Sequence, residues 1–166
     1  MGATSVAIRP ARPADAQAIC GIYNEGIEDR IATLETRLRT GDEQRAWLES
    51  RDERHPVLVA EGGGTVVGWG SLNVFNPRPA YDHVTEFSVY VARCARGTGA
   101  GRGLLGSLIA AARDIGYHKM VLAAFDWNEP GIALYEGAGF RQVGVYREQG
   151  WLDGRWVDTV IMEKLL

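Results

Sequence analysis

The run Arg96-Gly97-Thr98-Gly99-Ala100-Gly101 carries the plainest chemical signal in this chain because of what flanks it. Ahead of it, Glu86-Phe87-Ser88-Val89-Tyr90-Val91 alternates like a strand. Behind it, Gly103 to Gly116 holds Leu104, Leu105, Leu108, Ile109, Ala112 and Ile115 at helical spacing. A strand, a glycine-rich turn and a helix start aim several backbone N–H groups at one point and add the positive end of a helix dipole. Such a place suits phosphate. A mononucleotide P-loop would need Lys-Ser/Thr after its last glycine, and Arg102-Gly103 stands there instead. A dinucleotide fingerprint would need G-x-G-x-x-G opening a βαβ unit. Gly97, Gly99 and Gly101 are spaced G-x-G-x-G and follow several antiparallel-looking strands. What fits is Arg-x-x-Gly-x-Gly: Arg96, Gly99 and Gly101. The N–H groups of Gly97 through Arg102 would grip the phosphate, with Arg96 and Arg102 as charge partners and the Thr98 hydroxyl as a further donor.

Three other residues bear on chemistry. On the strand before the loop, Glu86, Ser88 and Tyr90 share one face, and Phe87, Val89 and Val91 share the other. Glu86 is therefore a carboxylate in the strand that leads to the phosphate loop, a candidate base. Asn128 and Tyr135 lie two helical turns apart and share a face. Asn128 also reads as a helix N-cap, and Tyr135 as a half-packed aromatic whose hydroxyl needs a partner.

These residues need a scaffold, and 166 residues suffice for one domain with a sizeable core. Hydrophobic content of 46% and charged content of 23% are those of a soluble globular protein. With a net charge of −3 and scattered basic residues, nucleic acid is not an expected partner. No apolar run is long enough for a bilayer, and no signal pattern opens the chain. Cys20 and Cys94 show no paired spacing and read as free thiols of a cytoplasmic protein. His55, His83 and His118 are isolated from one another, and no metal site is expected.

Along the chain, Ser5 to Ile8 reads as a short strand and Pro13-Ala14-Asp15 opens a helix. Gly26 to Arg39 reads as a loop, and the capping box Thr40-Gly41-Asp42-Glu43 starts a second helix. Val57 to Glu61 and Val66 to Val74 form a hairpin through Gly62-Gly63-Gly64. Then come a strand over Thr85 to Ala92, the glycine loop with its long helix, and a strand over Lys119 to Phe125. A helix over Asn128 to Ala138 and a hairpin of Arg141 to Gly150 with Arg155 to Lys164 close the chain. The order is β-α-α-β-β-β-α-β-α-β-β, a mixed and mostly antiparallel α/β sheet with helices on it.

This order, the Arg96–Gly101 signature and the segment Asn128-Glu129-Pro130-Gly131-Ile132-Ala133-Leu134-Tyr135-Glu136-Gly137-Ala138-Gly139-Phe140 together resemble the GNAT superfamily of N-acetyltransferases. The resemblance covers essentially the whole chain and implies the GNAT fold, a single domain with about seven strands and about four helices. It implies acetyl-CoA as cosubstrate, with the pyrophosphate on the glycine loop. The pantetheine would pair with the backbone of Val89, Tyr90 and Val91, and Asn128 would contact it. Glu86 would be the base and Tyr135 the acid that protonates the departing thiolate.

The resemblance narrows further. Ile8-Arg9-Pro10-Ala11, Ala80-Tyr81-Asp82, Glu86 through Val91 and Gly154-Arg155-Trp156-Val157-Asp158 are similar to the phosphinothricin acetyltransferase family. That branch includes the methionine sulfone/sulfoximine and arsinothricin-resistance acetyltransferases. It implies acetylation of the α-amine of a small amino acid or analogue, and a homodimer. Arg78 falls on a family substrate-binding arginine, suited to gripping a carboxylate or phosphinate with two parallel bonds. Tyr81 and Thr33 are further substrate candidates, and Leu34 would line the pocket. Herbicide-acetylating members carry His where this chain has Tyr135, which turns the expectation away from phosphinothricin itself. Two other readings stay open: a protein or peptide N-acetyltransferase, and a non-catalytic CoA-binding module.

Overall fold

A computed structural model describes residues 6–166. Its sheet is built from β1 (Ala7–Pro10), β2 (Val57–Gly62), β3 (Thr65–Val74), β4 (Val84–Val91), β5 (Lys119–Phe125), β6 (Arg141–Leu152) and β7 (Arg155–Leu165). The helices are α1 (Ala16–Asp29), α2 (Gly41–Glu49), α3 (Ala100–Ile115) and α4 (Glu129–Gly137). The seven strands form one sheet in the order β1-β2-β3-β4-β5-β7-β6. Every neighbouring pair is antiparallel except β4 and β5, which run parallel.

That exception shapes the molecule. β4 and β5 are paired only at Val84–Lys119, Thr85–Met120 and Glu86–Val121, near the start of each strand. Beyond Glu86 the two strands separate. The backbone of β4 from Phe87 onward has β3 on one edge and no strand on the other. The N–H of Ala92 donates to the Val67 carbonyl at 2.9 Å, which fixes the alternation along the antiparallel pair. Tyr90 and Ser88 therefore turn their backbone groups to β3, while Val91, Val89 and Phe87 turn theirs to the gap.

The core forms where each helix buries its apolar stripe. Leu105, Leu108 and Ala112 of α3 pack against Leu72, Phe87, Met120 and Met162 on one face of the sheet, and Leu104 packs with Ala60. Ile19 and Ile22 of α1 pack with Val57, Val59 and Trp69 on the other. Thr40 caps α2 as its sequence predicts: its side chain accepts from the Glu43 N–H, and Glu43 reaches back to the Thr40 N–H at 2.8 Å.

Several boundaries move. The first strand is Ala7–Pro10, not Ser5 to Ile8, because its register with β2 runs from Ala7–Glu61 to Pro10–Leu58. Ser5 lies outside the described residues. Pro10 is tolerated because β1 is an edge strand. The residues Pro13–Asp15 form a single 3-10 turn before α1. α1 continues to Asp29, so the expected Gly26 to Arg39 loop begins only at Arg30. Gly26 lies inside α1 where the helix runs hard against β4: a Cβ there would sit 3.1 Å from the Tyr90 ring, so the position suits glycine. α3 begins at Ala100 rather than Gly103. No helix among the described residues is long and apolar enough to cross a membrane.

Candidate active site at the strand splay

A cavity of about 1210 Å³ opens where β4 and β5 part. Its walls are Glu86 to Val91 of β4, Leu122 to Ala124 of β5, the loop from Ala95 into α3, and the start and inner face of α4. Two of the residues expected to do chemistry, Glu86 and Tyr135, line this one space, as do Asn128 and most of the glycine loop.

The glycine loop is built as its composition demands. Gly97 (φ +78°) and Gly99 (φ +92°) occupy left-handed backbone conformations, which a residue with a Cβ enters only under strain. Gly99 caps α3, so the N–H groups of Ala100, Gly101 and Arg102 begin the helix with no intrahelical partner. Ala100 takes part through backbone alone, since its side chain is buried in the core. Thr98 lines the cavity, but its hydroxyl donates to the Ala95 carbonyl at 2.6 Å and closes the turn.

The two arginines beside the loop differ. Arg96 is held: its Nη2 lies 2.7 Å from Asp29 Oδ2, and Arg93 shares the same carboxylate at 2.8 Å. These two cations hold the Asp29 carboxyl below its ordinary range. Arg102, in the first turn of α3, makes no ion pair among the described residues. The Asp29 clamp was not legible in the sequence, because the contact joins residues 67 positions apart.

Glu86 remains open to solvent through the cavity, but the surrounding protein desolvates its carboxyl and raises its pKa above the ordinary carboxylate value. No cation pairs with it among the described residues. Tyr135 packs edge-on against Phe87, with ring centroids 5.7 Å apart, and against Phe140 at 6.3 Å. Burial pushes its phenol up to about 12, so it holds its proton at neutral pH. No protein group hydrogen-bonds to its hydroxyl among the described residues. Asn128 accepts from the Gly131 N–H at 3.1 Å as the N-cap of α4 and lines the cavity as well.

The substrate candidates fall elsewhere. Arg78 precedes the 3-10 turn Pro79–Tyr81 on the exposed β3–β4 connection. Neither Arg78 nor Tyr81 lines the cavity. Tyr81 packs on Phe75, with centroids 5.4 Å apart. Thr33 lies beside the Tyr90 hydroxyl. The loop residues that do reach the cavity are Ile31 and Ala32, and Leu34 instead lies against Gly150 of β6. Trp127, unremarked in the sequence, also lines the cavity, and its indole N–H donates to the Arg30 carbonyl at 3.0 Å.

Residues 21–140 match the model of the acetyltransferase (GNAT) family. The chain is 36% identical to an L-methionine sulfoximine/L-methionine sulfone acetyltransferase from Salmonella typhimurium, over 94% of this chain and 92% of that protein. Among solved structures it is similar to a ribosomal-protein-alanine N-acetyltransferase from Brucella melitensis. There the TM-score is 0.93 and the identity 40%, over 96% of this chain and 99% of the other. It is likewise similar to a GNAT superfamily phosphinothricin acetyltransferase from Sinorhizobium meliloti solved in complex with acetyl-CoA. That TM-score is 0.89 and the identity 30%, over 97% and 88% of the two chains.

Proposed function

This chain belongs to the acetyltransferase (GNAT) family and is an N-acetyltransferase, and from that premise we propose that it moves the acetyl group of acetyl-CoA directly to the α-amine of a small amino acid or analogue. The acceptors are of the methionine sulfone, methionine sulfoximine, phosphinothricin or arsinothricin type. The observation that carries this reading is the splay of β4 from β5, with Glu86, Tyr135 and the glycine loop facing one cavity.

The site fits the cosubstrate. Gly97 and Gly99 hold the loop in a shape with open space where side chains would stand. The first N–H groups of α3 and Arg102, unpaired among the described residues, suit a pyrophosphate. The free edge of β4 at Phe87, Val89 and Val91 suits the amide groups of a pantetheine arm. Tyr90 contributes its ring to the wall, and Asn128 has amide hydrogens to offer. Bound acetyl-CoA supplies an acyl group activated as a thioester.

Glu86 takes one proton from the acceptor's ammonium, directly or through a water, and so frees the nitrogen lone pair. A backbone N–H on the free edge of β4 donates to the carbonyl oxygen as negative charge develops there. As the C–N bond forms and the C–S bond breaks, Tyr135 gives its phenolic proton to the departing sulfur. The second proton lost by nitrogen restores the phenol. Arg78 and Tyr81 stand ready for the part of an acceptor that lies outside the cavity, and Thr33 sets the wall around Tyr90. The Brucella neighbour, named for a protein alanine acceptor, favours a second reading in which the acceptor is a protein N-terminus.

Thiol release from acetyl-CoA tests both readings against a panel of phosphinothricin, methionine sulfoximine, methionine sulfone, arsinothricin, ordinary amino acids and an N-terminal peptide. Turnover on an amino-acid analogue upholds the first, and turnover on the peptide alone selects the second. No turnover, with acetyl-CoA still raising Tm, points to a binding module.

A further inference from the structure

A second cavity of about 290 Å³ adjoins the first. Ser88 and Tyr90 line both, so the two spaces share one wall. The β3–β4 register places Asn73 opposite Glu86, Ser71 opposite Ser88 and Trp69 opposite Tyr90. Residues directly opposite in a sheet share a face. A polar row therefore leads from Glu86 and Asn73 past Ser88 and Ser71 and in under α2.

The roof of this cavity holds a polar residue of α2. Gln44 of α2 is 6% exposed and lines the space. Among the described residues, no protein group hydrogen-bonds to its side-chain amide. The Gln44 amide is not sealed from solvent and so is open to a ligand in the cavity. The sealed donor without a partner among the described residues is Trp69 Nε1, whose residue lines the same space, and native structures rarely leave such a group idle. Ser88 has a free valence too. Its oxygen accepts from Asn73 Nδ2 at 3.1 Å, which leaves its own proton free for a ligand. The Asn73 amide is held in that orientation by two donors to its Oδ1, Ser71 at 3.0 Å and Arg51 at 3.1 Å.

The charged residues of the lining already have partners. Arg39 pairs with Glu35, and Glu43 pairs with Arg37 at 3.0 Å. The remaining surface is neutral and rich in hydrogen-bonding groups. Residues two apart on a strand stand about 7 Å apart. That separates Glu86 from Ser88 by the reach of an amino acid from its α-amine to a head on a two-carbon side chain.

We propose that this second cavity receives the side-chain head of the acceptor. Gln44 and Ser88 hydrogen-bond it, and the lining selects neutral heads (sulfone, sulfoximine, carboxamide) over an anionic phosphinate. The proposal rests on the small amino-acid reading above and deepens it. Among the lining residues an anion would meet no cation free of a carboxylate, and Arg51, which stands behind Asn73, has its N–H groups on Asn73 Oδ1 and the His55 and Leu72 carbonyls, so the burial of charge is unfavourable there. A neutral sulfonyl oxygen or sulfoximine nitrogen finds a donor and an acceptor in one amide.

Calorimetric titration of L-methionine sulfone and of phosphinothricin into the protein loaded with coenzyme A, which has no acyl group to give, tests this without turnover. The wild-type protein should bind the sulfone at least tenfold more tightly than phosphinothricin. Gln44→Leu should weaken sulfone binding by about tenfold or more while coenzyme A affinity stays unchanged, as loss of a buried hydrogen-bond partner implies. If the leucine variant no longer binds coenzyme A, Gln44→Glu keeps the shape of the side chain and carries the same test. It should weaken the sulfone and abolish binding of phosphinothricin. Equal affinity for the two ligands, sulfone affinity unmoved in the variant that folds, or no sulfone binding at all would overturn the proposal. Sulfone binding through Gln44 without thiol release from acetyl-CoA would uphold it while removing the acetyl-transfer reading.

Discussion

At the scale of single residues, the proposed base Glu86 and proposed acid Tyr135 stand in different surroundings. Glu86 must be ionised to accept a proton. Desolvation raises its pKa, so the acid limb of the kcat/KM profile should fall above the ordinary carboxylate range and vanish in Glu86→Gln. That variant should lose about 10²- to 10⁴-fold in kcat while acetyl-CoA affinity holds. The stability sign runs the other way. The folded state holds the Glu86 proton more tightly than the unfolded chain does, so this carboxyl favours folding fully below its ordinary unfolded pKa and loses that contribution as pH rises from there through the folded pKa. Glu86→Gln should therefore raise Tm at neutral pH or leave it unchanged, and a lowered Tm would contradict the desolvation account. Tyr135→Phe keeps the ring contacts with Phe87 and Phe140 and removes only the proton. It should lower kcat by about 10²-fold or more with little change in Tm. An unchanged kcat would assign the thiolate's proton to solvent.

At the scale of elements, each helix start has its own task. The start of α3 is the proposed pyrophosphate site. Arg102 is the unpaired cation there and Arg96 is tied to Asp29, so Arg102→Ala should raise the KM for acetyl-CoA by about tenfold, the worth of one charged hydrogen bond. If Arg96→Ala raised KM and Arg102→Ala did not, the division of roles would be reversed. The start of α2 serves stability. Its capping box is complete, and Thr40→Ala should cost about 1 kcal/mol, read as a lower denaturation midpoint, with acetyl-CoA KM unmoved. A concurrent loss of sulfone affinity would follow only if the cap also sets the position of Gln44 on the same helix.

For the whole molecule, the far end of the sheet stands uncovered. Tyr146, Trp151 and Trp156 of β6 and β7 are each more than half exposed, at 55%, 59% and 57%. Trp151 and Trp156 pack edge-on against each other with ring centroids 5.0 Å apart. Exposed aromatics gathered on an edge hairpin are what subunit contacts cover. We expect a homodimer through this hairpin, seen by light scattering after size exclusion, and a monomer for Trp156→Asp. A wild-type monomer at micromolar concentration would refute it.

The sequence alone determined the order of the elements and the glycine loop, because their causes are local. Periodicity set α3 and the alternating strands, the Thr40-to-Glu43 spacing set the start of α2, and glycines at the required positions set the loop. Residue types likewise marked Glu86, Asn128 and Tyr135, since strand and helix periods decide which side chains share a face. Tertiary structure decided what depends on partners far apart in the chain. The parting of β4 from β5 after Glu86 makes the cavity, and no local pattern encodes where two strands cease to pair. The same holds for the Asp29 clamp on Arg96, for Arg78 and Tyr81 standing outside the cavity, and for Gln44, an ordinary polar residue in sequence. Only the packing of α2 over β3 and β4 buries this residue and opens its amide to the second cavity.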